Sequence, residues 1–451
     1  MARQVAGQMD RGHQAAGIGH VPRLSRTAGL AGARAMLRDP CAHLAALAAR
    51  HGDCFTYPFG GMAKTMVILR PAIAQHVLKN SETLFGKSDI QTRHMQDFLG
   101  PGLLTLAGEP WRRQRRLIAG GFRADRIAEM AIPLEADVAD GLTHLADAAQ
   151  RGPVNASEAM MRLTFAAVAR SLMGASIAAP DIARISDAIA RVQAYLVRQI
   201  VLPWAAPVFR LSGAHARHQA LRRDGDAIVA KVVDARLATG PAGGDMLDQL
   251  ISGPPMTREA LVAEIMQLLV AGHETSSTVL AWSLWLLARH PADMAALREE
   301  LAATPTDQSP PLLLATLKEA MRLYPPFWLI DRLALESSAA DGVPIPAGTR
   351  LAIFVHGLHH RADCWADPET FRPARFLGPE RANERNGAFI PFGSGPRTCV
   401  GSNYAWLQMV AILSALLRRF DISAVHPQQA AEAMLILRAA GGVWLRVSPR
   451  Q

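Results

Sequence analysis

Cysteine is scarce in this sequence, and its spacing excludes one class of protein. The 451 residues include four cysteines, Cys41, Cys54, Cys364 and Cys399, with no C-x-x-C pair among them. Secreted domains that depend on disulfides carry dense cysteine frameworks, whereas chains in a reducing compartment do not. The pattern therefore argues against a disulfide-stabilised secreted protein and predicts a cytoplasmic one.

Targeting segments, repeats and low-complexity stretches are also missing. The first thirty residues are polar and contain neither the apolar core of a signal peptide nor an anchor helix. We expect residues 1–35 to be a loose N-terminal segment without a membrane anchor.

Aromatic residues make up only 6% of the chain, while the net charge is +9 and the pI is near 9.9. A basic chain can bind nucleic acid, but there is no recognition motif and few aromatics lie near the basic clusters, which argues against that class. A basic docking face for an acidic protein is the better explanation, because opposite charges speed the encounter of two proteins.

Half of the residues are hydrophobic, so a large core is possible. Hydrophobic periodicity and Gly/Pro breaks predict a mainly α protein with a minor β region. A helical body is predicted from residue 72 to about 326. Strands or hairpins are predicted at Cys54–Phe59, at Thr65–Leu69, at 329–356 with a hairpin turn at Pro344–Gly348, and at 434–449 with a hairpin around Gly441 and Gly442.

One glycine-rich loop carries the strongest chemical signal. Residues 392–401 read FGSGPRTCVG, and an apolar helical run follows. Glycines let the backbone approach a flat ligand, and a helix N-terminus favours a thiolate at Cys399. The alternative is a tight turn around a buried, inert thiol.

A second signal lies inside the apolar helix predicted between Thr257 and His290. Glu274 and Thr275 are polar residues in its middle, where they are costly unless they are hydrogen-bonded or hydrated. The alternative for Thr275 is a bond back to the carbonyl one turn earlier.

Two further motifs place charges at helical spacing. Glu319 and Arg322 are three residues apart and share one helix face. Trp111 and Arg115 are one turn apart and can direct an indole N–H and a guanidinium at one anion. The alternative for the arginine-rich run after Trp111 is a solvated basic face.

Together and in this order, these motifs resemble the cytochrome P450 family, soluble bacterial type. Pro396 inside the loop and Ser276-Ser277 after the acid–alcohol pair are small departures from the family pattern. The resemblance implies a single triangular-prism domain, here residues 36–451, that holds haem b with Cys399 as the iron ligand.

The resemblance also implies roles for individual residues. Thr275 and Glu274 would deliver protons to iron-bound dioxygen, beside Gly272 and Ala271. Haem contacts would come from the propionate-binding residues and the ligand loop: Trp111, Arg115, Arg332 and Arg397, with Phe392, Gly395 and Gly401. Glu319, Arg322 and Arg375 would form a buried structural network.

The substrate pocket is expected on the haem face opposite Cys399, with an apolar lining. Its predicted lining comes from Leu268 and the acid–alcohol helix, from Phe327, Trp328 and Leu329, from Leu103–Leu106 and from Ala439–Gly442. Arg198 and Arg210 are expected to face solvent, the alternative being contact with an acidic substrate.

The implied function is a monooxygenase that inserts one atom of O2 into an apolar lipid, terpenoid or polyketide-like molecule, by hydroxylation or epoxidation. The chain ends fifty residues after Gly401, which leaves no room for a fused reductase. Electrons are therefore expected from a ferredoxin or flavodoxin with its NAD(P)H reductase. We expect a monomer whose docking residues near the cysteine side are Arg112, Arg113, Arg116, Arg418 and Arg419.

Two alternatives remain for the same sequence. A peroxygenase or isomerase on this fold would need no electron donor, and Glu274-Thr275 argues against it. A non-catalytic haem sensor would bind ligands but form no product with any donor.

Overall fold

The described part of the chain is mostly helical, as predicted. The computed structural model describes residues 21–59, 61, 63–174, 177–241, 244–305 and 308–450. Its helices are α1 (Arg26–Arg38), α2 (Pro40–His51), α3 (Pro71–Lys79), α4 (Gln96–Leu99), α5 (Gly108–Gly121), α6 (Ala124–Ala149), α7 (Ala156–Met173), α8 (Ala179–Val201), α9 (Ala206–Leu211), α10 (Ala214–Thr239), α11 (Met246–Ile251), α12 (Arg258–Arg289), α13 (Pro291–Ala303), α14 (Pro311–Leu323), α15 (Val355–His359) and α16 (Ser402–Arg419).

The strands form one five-stranded sheet and several small ones. They are β1 (Cys54–Phe59), β2 (Ala63–Ile68), β3 (Phe85–Gly86), β4 (Val154–Asn155), β5 (Ile330–Ala334), β6 (Ser338–Ala340), β7 (Val343–Ile345), β8 (Arg350–Ile353), β9 (Phe420–Ala424), β10 (Ala431–Ala433), β11 (Leu437–Ala439) and β12 (Trp444–Pro449). The larger sheet has the order β1-β2-β8-β5-β3.

Both predicted hairpins are wrong. The strands on either side of the Pro344–Gly348 turn do not pair, because β7 pairs with β6 whereas β8 pairs with β5 and β2. Around Gly441, β11 pairs with β10, and β12 pairs with β9 and β4. Glycine and proline mark where the chain turns, but tertiary packing decides which strand becomes the partner.

The predicted loose N-terminal segment spans residues 1–35. Of these, residues 1–20 lie outside the part of the chain that the structure describes. Within that part, α1 packs on β1. A side chain at Gly29 would place its Cβ 2.0 Å from the Pro58 carbonyl oxygen, so this contact requires glycine. Residues 26–35 therefore belong to a packed helix in this structure.

The central helix, α12, begins where the sequence predicts. The Thr257 side chain caps it by accepting a hydrogen bond from the Ala260 N–H at 3.2 Å. Its first half, including Ile265, lies in a core with α5, α7, α8, α10 and α11. Its second half, including Trp282, lies in a core with α6, α14 and α16. Between the two cores, helix residues near Ala271 are only half-buried, because there the helix faces a cavity.

A buried ion network connects α14 to the segment that follows α15. Glu319 accepts hydrogen bonds from Arg322 at 2.8 Å and from Arg375 at 3.0 Å, and all three side chains have zero exposure. Arg322 also donates to the carbonyls of His359 and Pro368. Since every charge is paired and hydrogen-bonded, the network can remain ionised inside the core.

No helix in the described part of the chain combines the length and the hydrophobicity that a membrane span needs.

Candidate active site

A cavity of about 610 Å³ lies beside the middle of α12. Its wall is mostly apolar and includes the predicted Leu268, Ala271, Gly272 and Thr275, together with Phe327, Trp328 and Leu329. Two predicted segments differ. From Leu103–Leu106 only Leu103 and Leu104 line the cavity. In place of Ala439–Gly442, the cavity is lined by residues 433–436, which are the end of β10 and the turn to β11.

Two arginines that are predicted to face solvent do so in the structure. Arg198 and Arg210 are both exposed, and neither lines the cavity.

The predicted ligand loop forms another wall of the cavity. The Cys399 N–H donates to the Phe392 carbonyl at 2.9 Å, which folds the loop back on itself. Gly395 has φ +71°, and a Cβ there would lie 2.2 Å from the Leu78 carbonyl oxygen, so only glycine fits against α3. Gly401 is the N-cap of α16. These contacts fix the position of the Cys399 side chain at the cavity wall.

Two opposing effects act on the pKa of the Cys399 thiol. Burial raises the pKa of the Cys399 thiol, and the Gly401 N–H and Arg115 only partly oppose this effect. The thiol is nevertheless accessible, since it faces the cavity. The helix-terminus contribution is present but is outweighed by desolvation. A bound metal ion deprotonates a coordinating thiol outright.

Cationic side chains cluster on the cavity wall around the ligand loop. Burial lowers the pKa of Lys87 to about 6 and that of Arg397 to about 10, and it also lowers the pKa values of Arg115 and Arg332. The carboxylates that act on this cation cluster are Glu82 and Asp331. Three guanidiniums facing two carboxylates leave an excess of positive charge, which favours binding of an anionic group, and such an anion would in turn favour the charged form of Lys87.

Contacts inside the cation cluster hold its members in place. Arg397 is hydrogen-bonded to Glu82, and its Cζ lies 4.0 Å from the ring centroid of Trp111. Arg332 donates to the Ser81 hydroxyl at 3.2 Å. Glu82 has φ +85°, an uncommon conformation for a residue other than glycine. The four residues predicted to contact the propionates all line the cavity: Trp111, Arg115, Arg332 and Arg397.

These residues fit the predicted haem b. Haem needs an axial donor, apolar contact for its ring and positive charge for its two propionates. The cavity wall supplies the Cys399 thiol, a largely apolar surface and the cation cluster. Lys87 and Glu82 were missed by the sequence analysis, since neither lies in a recognisable motif.

The predicted acid–alcohol pair lies on the same cavity. Thr275 donates to the Ala271 carbonyl at 2.8 Å, which is the back-bond that the sequence analysis left open. The hydroxyl oxygen can still accept a hydrogen bond from another group. Glu274 is buried and accepts a hydrogen bond from Gln193 at 2.5 Å. Burial raises the pKa of Glu274, which Gln193 and Arg438 partly offset.

Gly272 has a packing role beside its predicted one. A Cβ there would lie 3.2 Å from the Val168 side chain of α7, tighter than ordinary contact. The glycine therefore lets α7 approach α12 at the cavity wall.

Two buried residues of α12 hold the loop that follows α4. Both oxygens of Glu264 accept from the Leu103 N–H at 3.1 Å. Gln267 accepts from the Leu104 N–H at 2.8 Å and donates to the Gly100 carbonyl at 2.9 Å. Their side chains satisfy backbone groups that the loop cannot pair internally. The position of this cavity wall therefore depends on α12.

Glu264 gives the stability of the protein a specific pH dependence. Burial raises its pKa from 4.5 to about 7, although the Leu103 N–H, Gln114 and Lys87 oppose the shift. The contribution of Glu264 to the free energy of unfolding is fully present below pH 4.5, where the carboxyl is protonated. It is lost as the pH rises through 7, because the folded state then holds a buried charge. We expect the wild type to lose about 3 kcal/mol relative to Glu264→Gln over this range.

Urea unfolding of both proteins at pH 5 and pH 8 measures this loss. Glu259→Gln, in the exposed first turn of the same helix, is the control and should follow the wild type. Parallel behaviour of Glu264→Gln and the wild type would contradict the assignment.

The predicted basic docking face is only partly assembled. Arg112, Arg113 and Arg116 are exposed on α5, whose C-cap Phe122 approaches Gly401 of the ligand loop. Arg418 and Arg419 stand at the far end of α16, about 24 Å along the helix from its start, and Arg418 donates to the Thr304 carbonyl. Placing these two near Cys399 was therefore wrong, because a helix of 18 residues separates them from the loop.

Comparison with known proteins gives one family. A sequence model described as "Cytochrome P450" matches residues 31–442. A solved crystal structure of a mutant cytochrome P450 heme domain matches with a TM-score of 0.79 and 22% identity, covering 92% of this chain and 94% of that one. The structural match identifies the fold.

Curated relatives cover most of the chain. Cyclooctatin synthase of Streptomyces melanosporofaciens is 31% identical, over 85% of this chain and 86% of its own length. Cytochrome P450 4F12 of Homo sapiens is 28% identical, over 89% and 84%. Leukotriene-B4 omega-hydroxylase 3 of Mus musculus is 28% identical, over 87% and 83%.

Proposed function

Since this chain belongs to the cytochrome P450 family of haem-thiolate monooxygenases, we propose that Cys399 ligates the iron of haem b and that Glu274 and Thr275 handle the protons of the reaction. The observation that supports this most strongly is their common location. The Cys399 thiol, the acid–alcohol pair and the cation cluster all line one apolar cavity.

The cation cluster would hold the cofactor by its propionates. When bound, thiolate-ligated haem activates dioxygen, so that one oxygen atom enters the substrate and the other leaves as water. Arg115, Arg332 and Arg397 would pair with the two haem propionates. Lys87 would also contact them. An anion beside Lys87 favours its charged form and opposes the desolvation that lowers its pKa. Trp111 supports Arg397 through the face of its ring.

Proton handling would follow from the two polar groups of α12. Burial raises the pKa of Glu274, so its carboxyl holds a proton more readily near neutral pH than an exposed carboxyl does. Thr275 Oγ1 keeps its donor bond to Ala271, which leaves its lone pairs free to accept a hydrogen bond on the cavity side. We infer that Glu274 stores a proton and that the Thr275 hydroxyl positions its delivery.

Replacement of Thr275 by Ala tests this role. Product formed per NAD(P)H consumed should fall at least about tenfold, with hydrogen peroxide in place of product, because a positioned proton donor contributes a factor of this size or more. Parallel assays of NAD(P)H, peroxide and product measure the ratio. Ser276→Ala removes a hydroxyl from the next residue on the same cavity and serves as the control. Unchanged coupling in Thr275→Ala would refute the proton role.

The substrate is proposed to be an apolar lipid, terpenoid or polyketide-like molecule. Relatives named for leukotriene omega-hydroxylation and cyclooctatin synthesis support this range. The apolar lining of the cavity, which would hold both haem and substrate, fits a molecule of that character.

Electrons are proposed to come from a ferredoxin or flavodoxin with its NAD(P)H reductase. The exposed arginines of α5 support this proposal, since an acidic donor would be attracted to that face. Turnover should require the donor pair and should slow as ionic strength rises, because added salt screens exposed charges. Product formed with peroxide alone, and none with either donor pair, would favour the peroxygenase alternative. Ligand-induced spectral changes without product under any condition would favour the sensor.

The working state is proposed to be a monomer in the cytoplasm, with the single domain that begins near α1. One chain supplies the thiol, the acid–alcohol pair and the cation cluster, so the site needs no second copy. Cys41 and Cys54 are free, buried thiols, which supports a reducing compartment.

A further inference from the structure

A glutamine on α8, at the cavity wall, has a buried acceptor without a hydrogen-bond partner among the described residues. Gln193 is only 6% exposed and lines the cavity. Its Nε2 donates to Glu274 Oε2 at 2.5 Å. Its Oε1 is buried and has no hydrogen-bond partner among the described residues. Unpaired buried carbonyls are uncommon, and each is costly unless a ligand or water donates to it.

Glu274 fixes the direction of this amide. The structure directs the NH2 group of Gln193 at one carboxyl oxygen of Glu274, which can accept this bond while the other oxygen holds the proton, so the carbonyl of the amide faces elsewhere. The hydrogen bond from Nε2 to Glu274 therefore fixes the orientation of the amide and leaves Oε1 as an available acceptor. Substrate binding and proton handling meet at this one side chain.

Other residues of the cavity wall also offer hydrogen-bond acceptors rather than free positive charge. Gln91 also lines the cavity, and its buried Oε1 likewise lacks a partner among the described residues. Outside the cation cluster, the arginines of the lining are neutralised. Arg222 pairs with Asp226 at 3.1 Å, and Arg350 pairs with Asp89 at 2.7 Å. This part of the wall therefore offers hydrogen-bond acceptors to a ligand that carries a donor group. Its arginines are already paired with carboxylates, so they do not favour an anionic ligand.

We propose that Gln193 is a specificity-determining residue whose Oε1 accepts a hydrogen bond from a hydroxyl group of the substrate. The preferred substrates are then neutral apolar alcohols rather than fatty-acid carboxylates. Within the proposed function this narrows the substrate class. A carboxylate placed against Gln193 Oε1 would meet a second acceptor and gain no hydrogen bond.

Binding of matched ligands to the full-length holoprotein tests the proposal without turnover. The probes are 1-dodecanol, its isomer 1-methoxyundecane and dodecanoate, together with a bicyclic monoterpene alcohol and its methyl ether. Isothermal titration calorimetry gives each Kd. The wild type should bind each alcohol about tenfold more tightly than its ether, because only the alcohol donates to the buried acceptor.

Variants assign the preference to one amide. Gln193→Leu should reduce the alcohol-to-ether ratio to about twofold or less, and Gln193→Met repeats the test if the first variant is unstable. Gln199→Leu is the control, because Gln199 lies on the same helix and cavity but donates to the Tyr195 hydroxyl at 2.9 Å instead. It should keep the wild-type ratio.

Several outcomes would overturn the proposal: equal binding of alcohol and ether by the wild type, a ratio that survives in both Gln193 variants, tighter binding of dodecanoate than of 1-dodecanol, or no binding of either alcohol. Failure of the proposed function is separate, since it would appear as a holoprotein that binds these probes but forms no product with any donor.

Discussion

Glu319→Ala should yield a chain that does not reach the stable, haem-containing fold. The substitution leaves Arg322 and Arg375 without their shared carboxylate, and both guanidiniums have zero exposure. Breaking one buried ion pair costs about 3–5 kcal/mol. A domain is stabilised by only about 5–15 kcal/mol in total. Soluble yield, haem content per chain and the urea midpoint measure the loss.

Two further variants sharpen this test. Lys318→Ala is the matched control, because Lys318 precedes Glu319 on α14 and its pair with Glu384 at 2.7 Å is partly exposed. It should cost about 1 kcal/mol or less. Glu319→Gln keeps one acceptor oxygen but loses the charge, so its stability should lie between the two. A Glu319→Ala protein with the wild-type urea midpoint would contradict a structural role for the network.

Cys399→Ser should remove product formation while the polypeptide remains folded. The Cys399 side chain faces the cavity, so the substitution removes a donor sulfur from its wall and leaves the hydrophobic cores intact. A serine hydroxyl is a poor replacement for a thiolate, which supplies the electron density that favours O–O cleavage. Product assays with the ferredoxin system, together with far-UV circular dichroism, measure the two effects.

Cys364→Ser is the control for cysteine removal in general. Cys364 is a free, half-buried thiol that does not line the cavity. This variant should form product at nearly the wild-type rate. If Cys399→Ser kept a tenth or more of that rate, Cys399 could not be the axial ligand.

Features of the site that depend on local sequence were predictable. The Thr257 cap, the glycines around Cys399 and the Glu319–Arg322 spacing each act within one turn or loop. Their geometry follows from residue type and separation alone. The cavity-facing residues of α12 were predictable for the same reason, since a helix presents every third or fourth residue on one side.

Other features depend on contacts between distant segments and leave no local pattern. Glu82 reaches Arg397 across 315 positions, and its positive φ has no sequence signature. Gln193 meets Glu274 across 81 positions. A lone Gln or Lys in a sequence gives no sign that folding will bury it beside a catalytic acid or a cation cluster.

The incorrect predictions have the same origin. The turns near Gly348 and Gly441 exist, and both glycines have positive φ, but their flanking strands pair elsewhere. The arginines at the end of α16 follow the cysteine loop in sequence, yet a helix of 18 residues carries them away from it. Closeness along the chain is a reliable guide only within a single turn or element.

The absorption spectrum of the reduced protein with carbon monoxide tests the thiolate assignment most directly. Wild-type and Cys364→Ser proteins should show the red-shifted Soret band of a thiolate-ligated haem, and Cys399→Ser should lack it. A wild-type protein that carries haem but never shows this band, or a Cys399→Ser protein that retains it, would contradict iron ligation by Cys399.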